Sequence, residues 1–316
     1  MATFNYVTKD NMGATLDHKI NQGLVTSVLG NPNVSFMNGG KSFTLRDITV
    51  SGFKPHTRGK GWNSGEITDS KTVYTMTQDR DIEFSVDRQD VDETNQELSM
   101  ANVSRVFIED EVQPEVDSYR FAVMAQAANA QGNKDKTNLT VSNVYSKLKA
   151  AILPLRKYGS ANIVGFVSST TLDLLERSTE FTRNITNQNV GQTSLESRVT
   201  DIDGVKLVEV QDTDRLKTSY NFAEGAKPQS NAVDINYLFV VKQAVIPVVK
   251  ENAVFMFAPG EHSQGDVYLY QNRLYHDIFI RKSMEDGLFV GLSADIPAKQ
   301  TATEAGTVYV EGEKDA

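Results

Sequence analysis

The spacing of apolar residues changes several times along the chain, and each change predicts a different element. Near the N-terminus apolar residues recur every fourth position, at Leu16, Ile20, Leu24 and Val28. This spacing lines one face of a helix and predicts a helix from about Thr15 to Leu29. Such a helix either packs on its own domain or forms an arm that packs on a neighbouring chain.

Strand patterns follow on both sides of a Gly-rich basic stretch, KPHTRGKGWNSGEITDSK, at residues 54–71. The first run, from Ser42 to Ser51, has strand composition. In the second the apolar residues occupy alternate positions: Tyr74, Met76, Ile82, Phe84 and Val86. Alternation over about fifteen residues predicts one strand roughly 50 Å long, as long as a compact chain of this size is wide. Two strands alone are marginally stable in water, so we expect a neighbouring subunit to cover this apolar row.

A long helix is predicted next, from Thr94 to about Ala128. Thr94 and Glu97 have the spacing of a capping box, in which each side chain satisfies a backbone N–H at a helix start. Pro114 falls inside this helical pattern and must kink or split it.

Shorter alternating elements begin at about Asn138 and indicate an α+β or α/β texture. A helix from Ser142 to Tyr158 is closed by Gly159, and NIVGFVSS and TTLDLLERS predict a buried strand and a short helix. VTDIDGVKLVEV predicts a hairpin that turns at Asp203 and Gly204. Further strands are predicted around INYLFVVKQAVIPVV, NAVFMFAPG, YLYQNRLYHDIFIRK and GLFVGLS, and a polar, flexible tail from Pro297.

The composition narrows the class of protein. The chain has 316 residues, no cysteine and a net charge of -9, which argues against a surface devoted to gripping nucleic acid. With no membrane-spanning or secretory pattern, we expect a soluble protein made in the cytoplasm. The charge is uneven, because residues 41–62 hold five basic residues against one acidic, while residues 66–97 hold ten acidic against three basic. Such a pair of segments can associate with itself or with another copy of the chain.

Motifs for catalysis, phosphate binding and metal binding are weak throughout the sequence. The basic stretch lacks the P-loop pattern and links two strands, so its glycines are expected to serve a turn. The four histidines show no metal-ligand spacing, and GFVSST is expected to cap the helix that follows it. The acidic cluster of residues 79–92 follows strand alternation and predicts a solvated or partner-facing edge. We therefore predict no catalytic residue, metal site or cofactor.

The order of elements resembles that of the major capsid proteins of tailed bacteriophages. The resemblance rests on DRDIEFSVDRQDVDET, VQPEVDSYRF, DIDGVKLVEV, DINYLFVVKQAVIPVVKE, FAPG and NRLYHDIFI taken in this order, and it covers about Leu16 to Ala294. It implies the α+β Hong Kong phage-type capsid fold. The implied parts are an N-terminal arm (1–38), an extended loop (39–90), a peripheral domain with a spine helix (91–137), an axial domain (138–242), a return to the peripheral domain (243–296) and a flexible tail (297–316).

The resemblance also implies assembly through hexamers and pentamers into an icosahedral shell around phage double-stranded DNA, which is held without sequence-specific contacts. Expected partners are further copies of the chain, a portal and scaffolding proteins, and the expected location is the virion. We predict that the following residues form subunit interfaces: Lys54, Arg58, Lys60, Trp62, Tyr74, Met76, Arg80, Ile82, Phe84, Val86, Leu16, Ile20 and Leu24.

Three alternatives stay open from the sequence. An encapsulin-like nanocompartment shell would share the fold. A nucleic-acid-binding protein would use the basic stretch 54–62, and a hydrolase would need a pocket with paired carboxylates that the motif search missed.

Overall fold

The computed structural model of this protein describes residues 24–30, 40–56, 58–59, 61–93, 100–178, 185–187, 198–261 and 265–297. Several predictions fall outside these residues: the arm positions Leu16 and Ile20, the loop residue Lys60, the capping box at Thr94 and Glu97, and the tail beyond Pro297. In the described part of the chain, no helix is long and apolar enough to span a membrane.

The strands are β1 (Ser42–Val50), β2 (Ile67–Thr75), β3 (Gln78–Asp87), β4 (Lys134–Asp135), β5 (Ile163–Ser168), β6 (Ile185–Asn187), β7 (Arg198–Ile202), β8 (Val205–Val210), β9 (Tyr220–Asn221), β10 (Lys227–Pro228), β11 (Ile235–Val241), β12 (Val245–Phe257), β13 (Val267–Ile280) and β14 (Leu288–Leu292). The α-helices are α1 (Arg88–Glu93), α2 (Met100–Phe107), α3 (Gln113–Ala130), α4 (Val144–Ile152) and α5 (Ser169–Arg177). A π-helical stretch spans Ile108–Val112, and short 3₁₀ helices include Val25–Leu29 and Leu153–Tyr158.

A mixed sheet of seven strands forms the centre of the molecule, in the order β4-β14-β11-β5-β8-β7-β6. Both faces of its middle strands are buried. One face packs against α3, where Phe121 meets the ring of Phe166 edge-on with centroids 5.1 Å apart. The other face packs against α4 and α5 through Leu148 and Leu175. The strand β5, IVGFVS, is fully buried for this reason, as a strand covered on both faces requires.

Local signals in this region predict the observed elements. Ser168 caps α5, because its hydroxyl accepts a hydrogen bond from the Thr171 amide, and GFVSST thus serves the helix start. Asp203 and Gly204 both have positive φ, 52° and 77°, and join β7 to β8 in the predicted hairpin. Gly159, with φ of 87°, closes the helical segment that α4 begins.

A second sheet is antiparallel and has the order β12-β13-β3. Its two long strands, β12 and β13, have 13 and 14 residues, so that β13 extends about 46 Å at 3.3 Å per residue. β3 lies at one edge and pairs with β13 from Asp87 opposite Val267 to Gln78 opposite His276. The acidic positions of β3 therefore lie at a sheet edge, as their alternation predicts.

The prediction of one continuous strand over residues 73–87 is wrong. The run divides at Met76 and Thr77 into β2, which pairs with β1, and β3, which belongs to the other sheet. The Met76 amide donates to the carbonyl of Lys41, and the Thr77 amide donates to the Asp277 carboxylate. At these contacts the chain leaves one sheet and joins the other, while its apolar residues stay at alternate positions. A period-two pattern therefore cannot detect the break.

The predicted long helix is present from Met100 to Ala130 as α2, the π-helical stretch and α3. The α-helical pattern is interrupted immediately before Pro114, which occupies the second position of α3. Proline lacks the N–H that an α-helix interior requires, and a π-helical turn is one way to accommodate it. The short helix α1, which precedes this segment, was not predicted.

Candidate subunit interface

Strands β1 and β2 form a two-stranded hairpin with two contrasting faces. The register from Ser42 opposite Thr75 to Val50 opposite Ile67 places odd positions of β1 and even positions of β2 on one face. On that inner face Phe43 is fully buried, and it contacts Tyr74 and Phe279 at ring-centroid distances of 5.4 and 5.2 Å. Met76 and Tyr275 also belong to this cluster, which anchors the hairpin base on the three-stranded sheet.

The outer face of the hairpin, defined here by Ile48, Val50, Ile67 and Val73, has no cover within the described chain. Val50 and Ile67 lie opposite each other and are 70% and 76% exposed. An apolar patch on a marginal two-stranded element is typical of an interaction surface. The sequence prediction missed this face, although SFTLRDITV carries a signal for it. Its apolar residues change phase, from positions 43 and 45 to positions 48 and 50, so both faces of the strand are apolar.

The tip of the hairpin, described at residues 51–56, 58–59 and 61–66, presents aromatic and basic side chains to solvent. Phe53 and Trp62 are fully exposed, and Lys54 and Arg58 are exposed beside them. The tip is held by its own hydrogen bonds, since Lys54 Nζ donates to the Ser64 carbonyl at 2.8 Å and Asn63 donates to the Pro55 carbonyl at 2.9 Å. Gly59 turns the chain with φ of 80°. The stretch is therefore a turn, as the sequence predicts.

Buried polar contacts join the hairpin base to the long helix. Asp277 on β13 accepts hydrogen bonds from the Thr77 amide at 2.8 Å and from the Tyr119 hydroxyl at 2.6 Å. Burial raises the pKa of Asp277, while these hydrogen bonds favour its ionised form and oppose the rise. One carboxylate thus connects the hairpin hinge, the helix α3 and the three-stranded sheet.

A second buried carboxylate holds the described part of the N-terminal segment. Asp117 on α3 accepts hydrogen bonds from the amides of Val25 and Thr26, at 3.0 and 3.1 Å, and from the Thr26 hydroxyl at 2.8 Å. Arg120 donates to the same hydroxyl at 2.9 Å, and burial lowers its pKa to about 10. Leu24 packs beside the long helix. The segment is a 3₁₀ helix at Val25–Leu29, where the apolar spacing predicts an α-helix.

The predicted apolar row finds most of its cover within its own chain. Phe84 packs edge-on against Phe107, with centroids 5.2 Å apart, and Val86 packs in the same cluster, while Met76 is only 2% exposed. Ile82 differs, because it is 36% exposed on β3. Whether a neighbour contacts any of these residues stays a prediction, and Ile82 offers the most surface for it.

A cleft opens beside Ile82, between β3, β13, the π-helical stretch and the loop at 223–225. We call it the acidic cleft; its volume is about 520 Å³ and its lining includes Arg80, Asp81, Ile82, Phe84, Glu111, Glu115, Val116 and Glu224. Arg80, one of the predicted interface residues, forms two hydrogen bonds to the Glu115 carboxylate, at 2.8 and 3.4 Å. The pair fixes the wall of the cleft and occupies both oxygens of Glu115.

His276 is a buried core residue. It lies edge-on to Tyr119 at 5.5 Å, and burial together with the positive charges of Arg120 and Arg80 lowers its pKa to about 3. Among the described residues no cluster of three or more potential metal ligands is found.

Comparison with known proteins identifies the fold. No family model and no curated protein matches the sequence. The chain is similar in structure to the capsid of the cyanophage P-SCSP1u, at 15% identity and a TM-score of 0.60 over 84% of this chain and 86% of that chain. It is also similar to the mature capsid of bacteriophage PhiM1, at 13% identity and a TM-score of 0.57 over 85% of this chain and 91% of that chain. A structure from Mycobacterium phage Che8 is similar at 12% identity and a TM-score of 0.54 over 78% of this chain and 84% of that chain.

The fold is therefore that of tailed-phage major capsid proteins, and the α+β Hong Kong phage-type prediction is confirmed. At these identities the likeness shows the fold alone. The domain boundaries and interface residues stay predictions.

Proposed function

We propose that this protein is a major capsid protein, which self-assembles through hexamers and pentamers into an icosahedral shell enclosing phage double-stranded DNA. The observation that carries the proposal is the exposed apolar outer face of the hairpin on a capsid-type fold. A monomer gains nothing from extending such a ribbon into water, whereas a repeating shell covers it with each neighbouring copy. The role is structural, and no catalytic step is assigned to any residue.

The net charge of the chain supports the proposed role of a shell that encloses DNA. The chain carries a net charge of -9, so its surface as a whole does not neutralise phosphates and can release the DNA that it encloses. The hairpin tip carries Lys54 and Arg58, and a neighbouring subunit can receive it. A portal and scaffolding proteins are the further partners that we propose for this role, and the virion is the proposed location.

Electron microscopy and sedimentation velocity of the purified protein at increasing concentration test the proposal. We expect closed shells of uniform size. A protein that stays monomeric in every assembly condition would contradict it.

The contents of particles isolated from expressing cells distinguish the two kinds of shell. Nuclease-resistant double-stranded DNA supports the capsid role. A single enriched cargo protein without DNA supports the encapsulin-like alternative and contradicts DNA enclosure.

A further inference from the structure

The apolar floor of the acidic cleft is continuous with the cluster that receives the start of the described chain. Leu24, the first described residue, is buried in an apolar cluster with Val112 and Val116. Both valines also line the cleft. Three further residues are packed in or against the same cluster and also line the cleft: Phe84, Phe107 and Leu274. The residues that precede Leu24 in the chain therefore start beside the cleft.

The described N-terminal segment runs antiparallel to α3. Leu29 belongs to the core cluster that contains the α3 residues after Asp117, and the Thr26 amide donates to Asp117 itself at 3.1 Å. Leu24 belongs to the cluster that contains helical residues before Asp117. Followed backwards from Leu29 to Leu24, the chain thus approaches the π-helical stretch and the cleft that this stretch lines.

The sequence before Leu24 carries apolar side chains at a suitable distance. Leu16 and Ile20 continue the four-residue spacing of Leu24 and Val28. Four residues span about 6 Å in a helix and at most about 14 Å in an extended chain, so Ile20 can reach the floor in either conformation. On that floor Ile82 is 36% exposed and offers the apolar surface that such a side chain covers.

Charge distinguishes this segment from the other end of the chain. The charged lining of the cleft contains four acidic residues against the single basic residue Arg80. Residues 298–316, the C-terminal tail, contain four acidic residues and two lysines, so the cleft repels them. Residues 1–23 contain two lysines and two aspartates, and one of these lysines, Lys19, directly precedes Ile20. The N-terminal segment is therefore the more complementary occupant.

We propose that the segment preceding Leu24 lies along the acidic cleft of its own chain, with Ile20 on the apolar floor and Lys19 at the acidic rim. The contact goes beyond the proposed function, because it forms within one subunit and requires no assembly. It joins β3 and the long helix to the loop at 223–225, all of which line the cleft. Of the two alternatives that the four-residue spacing leaves open, it selects packing on the same chain.

The absence of cysteine from the chain makes a pair of introduced thiols a direct test. In the double variant Ile20→Cys, Ile82→Cys, a short bismaleimide should link the two thiols within one dilute, unassembled subunit. The matched control is Ile20→Cys, Val249→Cys, because Val249 is 37% exposed and lies on β12, the opposite edge strand of the same sheet. We expect linkage in the control to be at least about tenfold slower. Mass spectrometry identifies the linked peptides, and circular dichroism verifies folding.

A charge placed on the floor provides a second test, which needs no cross-link. Ile20→Asp places a carboxylate among the acidic residues of the cleft, so we expect the equilibrium constant for unfolding in urea to rise about tenfold. Gln22→Asp adds the same charge two residues away, outside the four-residue spacing, and should leave this constant within about twofold of the wild type. Equal effects of the two substitutions would exclude Ile20 from a buried contact.

The position of the cross-link separates the possible occupants of the cleft. A product of dimer size places the segment in the cleft of another copy and overturns the proposal. Linkage of Val308→Cys, instead of Ile20→Cys, to Ile82→Cys assigns the cleft to the C-terminal tail and also overturns it. Equal linkage to Ile82→Cys and Val249→Cys excludes the cleft as the receiving surface.

The same experiment separates this inference from the proposed function. Wild-type shells, together with a dilute subunit in which Ile20→Cys does not link to Ile82→Cys, leave the shell role intact and overturn the contact. Rapid linkage within a subunit that never assembles supports the contact and contradicts the shell role.

Discussion

The two faces of the hairpin differ sharply in exposure. The inner face buries Phe43 completely against Tyr74 and Phe279, while Val50 and Ile67 on the outer face are mostly exposed. Both faces belong to the same two strands and have apolar residues. The inner face therefore stabilises the subunit, and the outer face is available to stabilise an assembly.

The same contrast separates the anchored hairpin base from the tip. At the base, Asp277 links Thr77 and Tyr119 through buried hydrogen bonds. At the tip, the hydrogen bonds of Lys54 and Asn63 are local and exposed. An anchored base with an exposed end is an arrangement that positions a contact for another chain, because the base restricts where the end can reach.

The largest effect is expected from Phe43→Ala. Loss of a fully buried ring should lower the free energy of unfolding by about 4 kcal/mol, because a cavity remains beneath the hairpin. Urea unfolding of the unassembled subunit measures it, with Ile48→Ala on the outer face of the same strand as the control. Equal losses in the two variants would show that the faces do not differ in the subunit.

The next effect depends on pH through His276. Its folded pKa of about 3 lies below the ordinary value, so between these values the unfolded chain binds a proton that the folded chain does not. This contribution to stability is complete above pH 6.5 and is lost as the pH falls towards 3. The wild type should lose about 3 kcal/mol between pH 6.5 and 4 relative to His276→Phe.

Comparison with the phenylalanine variant removes the effects of other groups. Burial raises the pKa of Asp277 and of Asp117, so these two groups favour the folded state as the pH falls, opposite to His276. Both proteins contain these groups, so their effect cancels when the two stability curves are subtracted. Parallel stability curves for the two proteins from pH 7 to 4 would refute a neutral, buried His276.

A smaller effect is expected from Asp277→Asn. The side-chain amide has one oxygen, so it cannot accept hydrogen bonds from both Thr77 and Tyr119 as the two carboxylate oxygens do. The free energy of unfolding should therefore fall by about 2 kcal/mol. The control is Asp79→Asn, which removes an exposed ion pair with Arg273 and should cost less than about 1 kcal/mol. If the two substitutions cost the same, Asp277 is not an anchor of the hinge.

The smallest effect on the subunit is expected from the double variant Val50→Thr, Ile67→Thr. Threonine keeps the strand preference, and both sites are exposed, so the free energy of unfolding should change by less than about 0.5 kcal/mol. Assembly should nevertheless require several-fold more protein, measured by light scattering. Unchanged assembly would show that the outer face is not an interface.

Much of the fold could be predicted from local patterns. The strand and helix around Ser168, the turn at Asp203 and Gly204 and the interruption before Pro114 each depend on residues close in sequence. The continuous strand over residues 73–87 could not be corrected locally. Its break depends on Asp277, which lies 200 positions from Thr77 in the chain.

The candidate interface was predicted only in part. The basic, aromatic tip is visible in the sequence because its composition differs from that of its surroundings. The packing of Met76 and Phe84 against their own chain is not visible in the sequence, since alternation shows that residues share a face without showing what lies against it. The acidic cleft likewise brings together β3, the long helix and the loop at 223–225, which are far apart in the chain.

The amino-acid sequence by itself determined most of the helices and strands of the described chain, the turn at the tip and the segregation of charge, because these depend on neighbouring residues. Only the tertiary structure decided which apolar face of the hairpin is buried and which stays exposed. The physical reason is that burial depends on the partner surface, and the partners of β1 and β2 come from β12 and β13, about two hundred residues later in the chain.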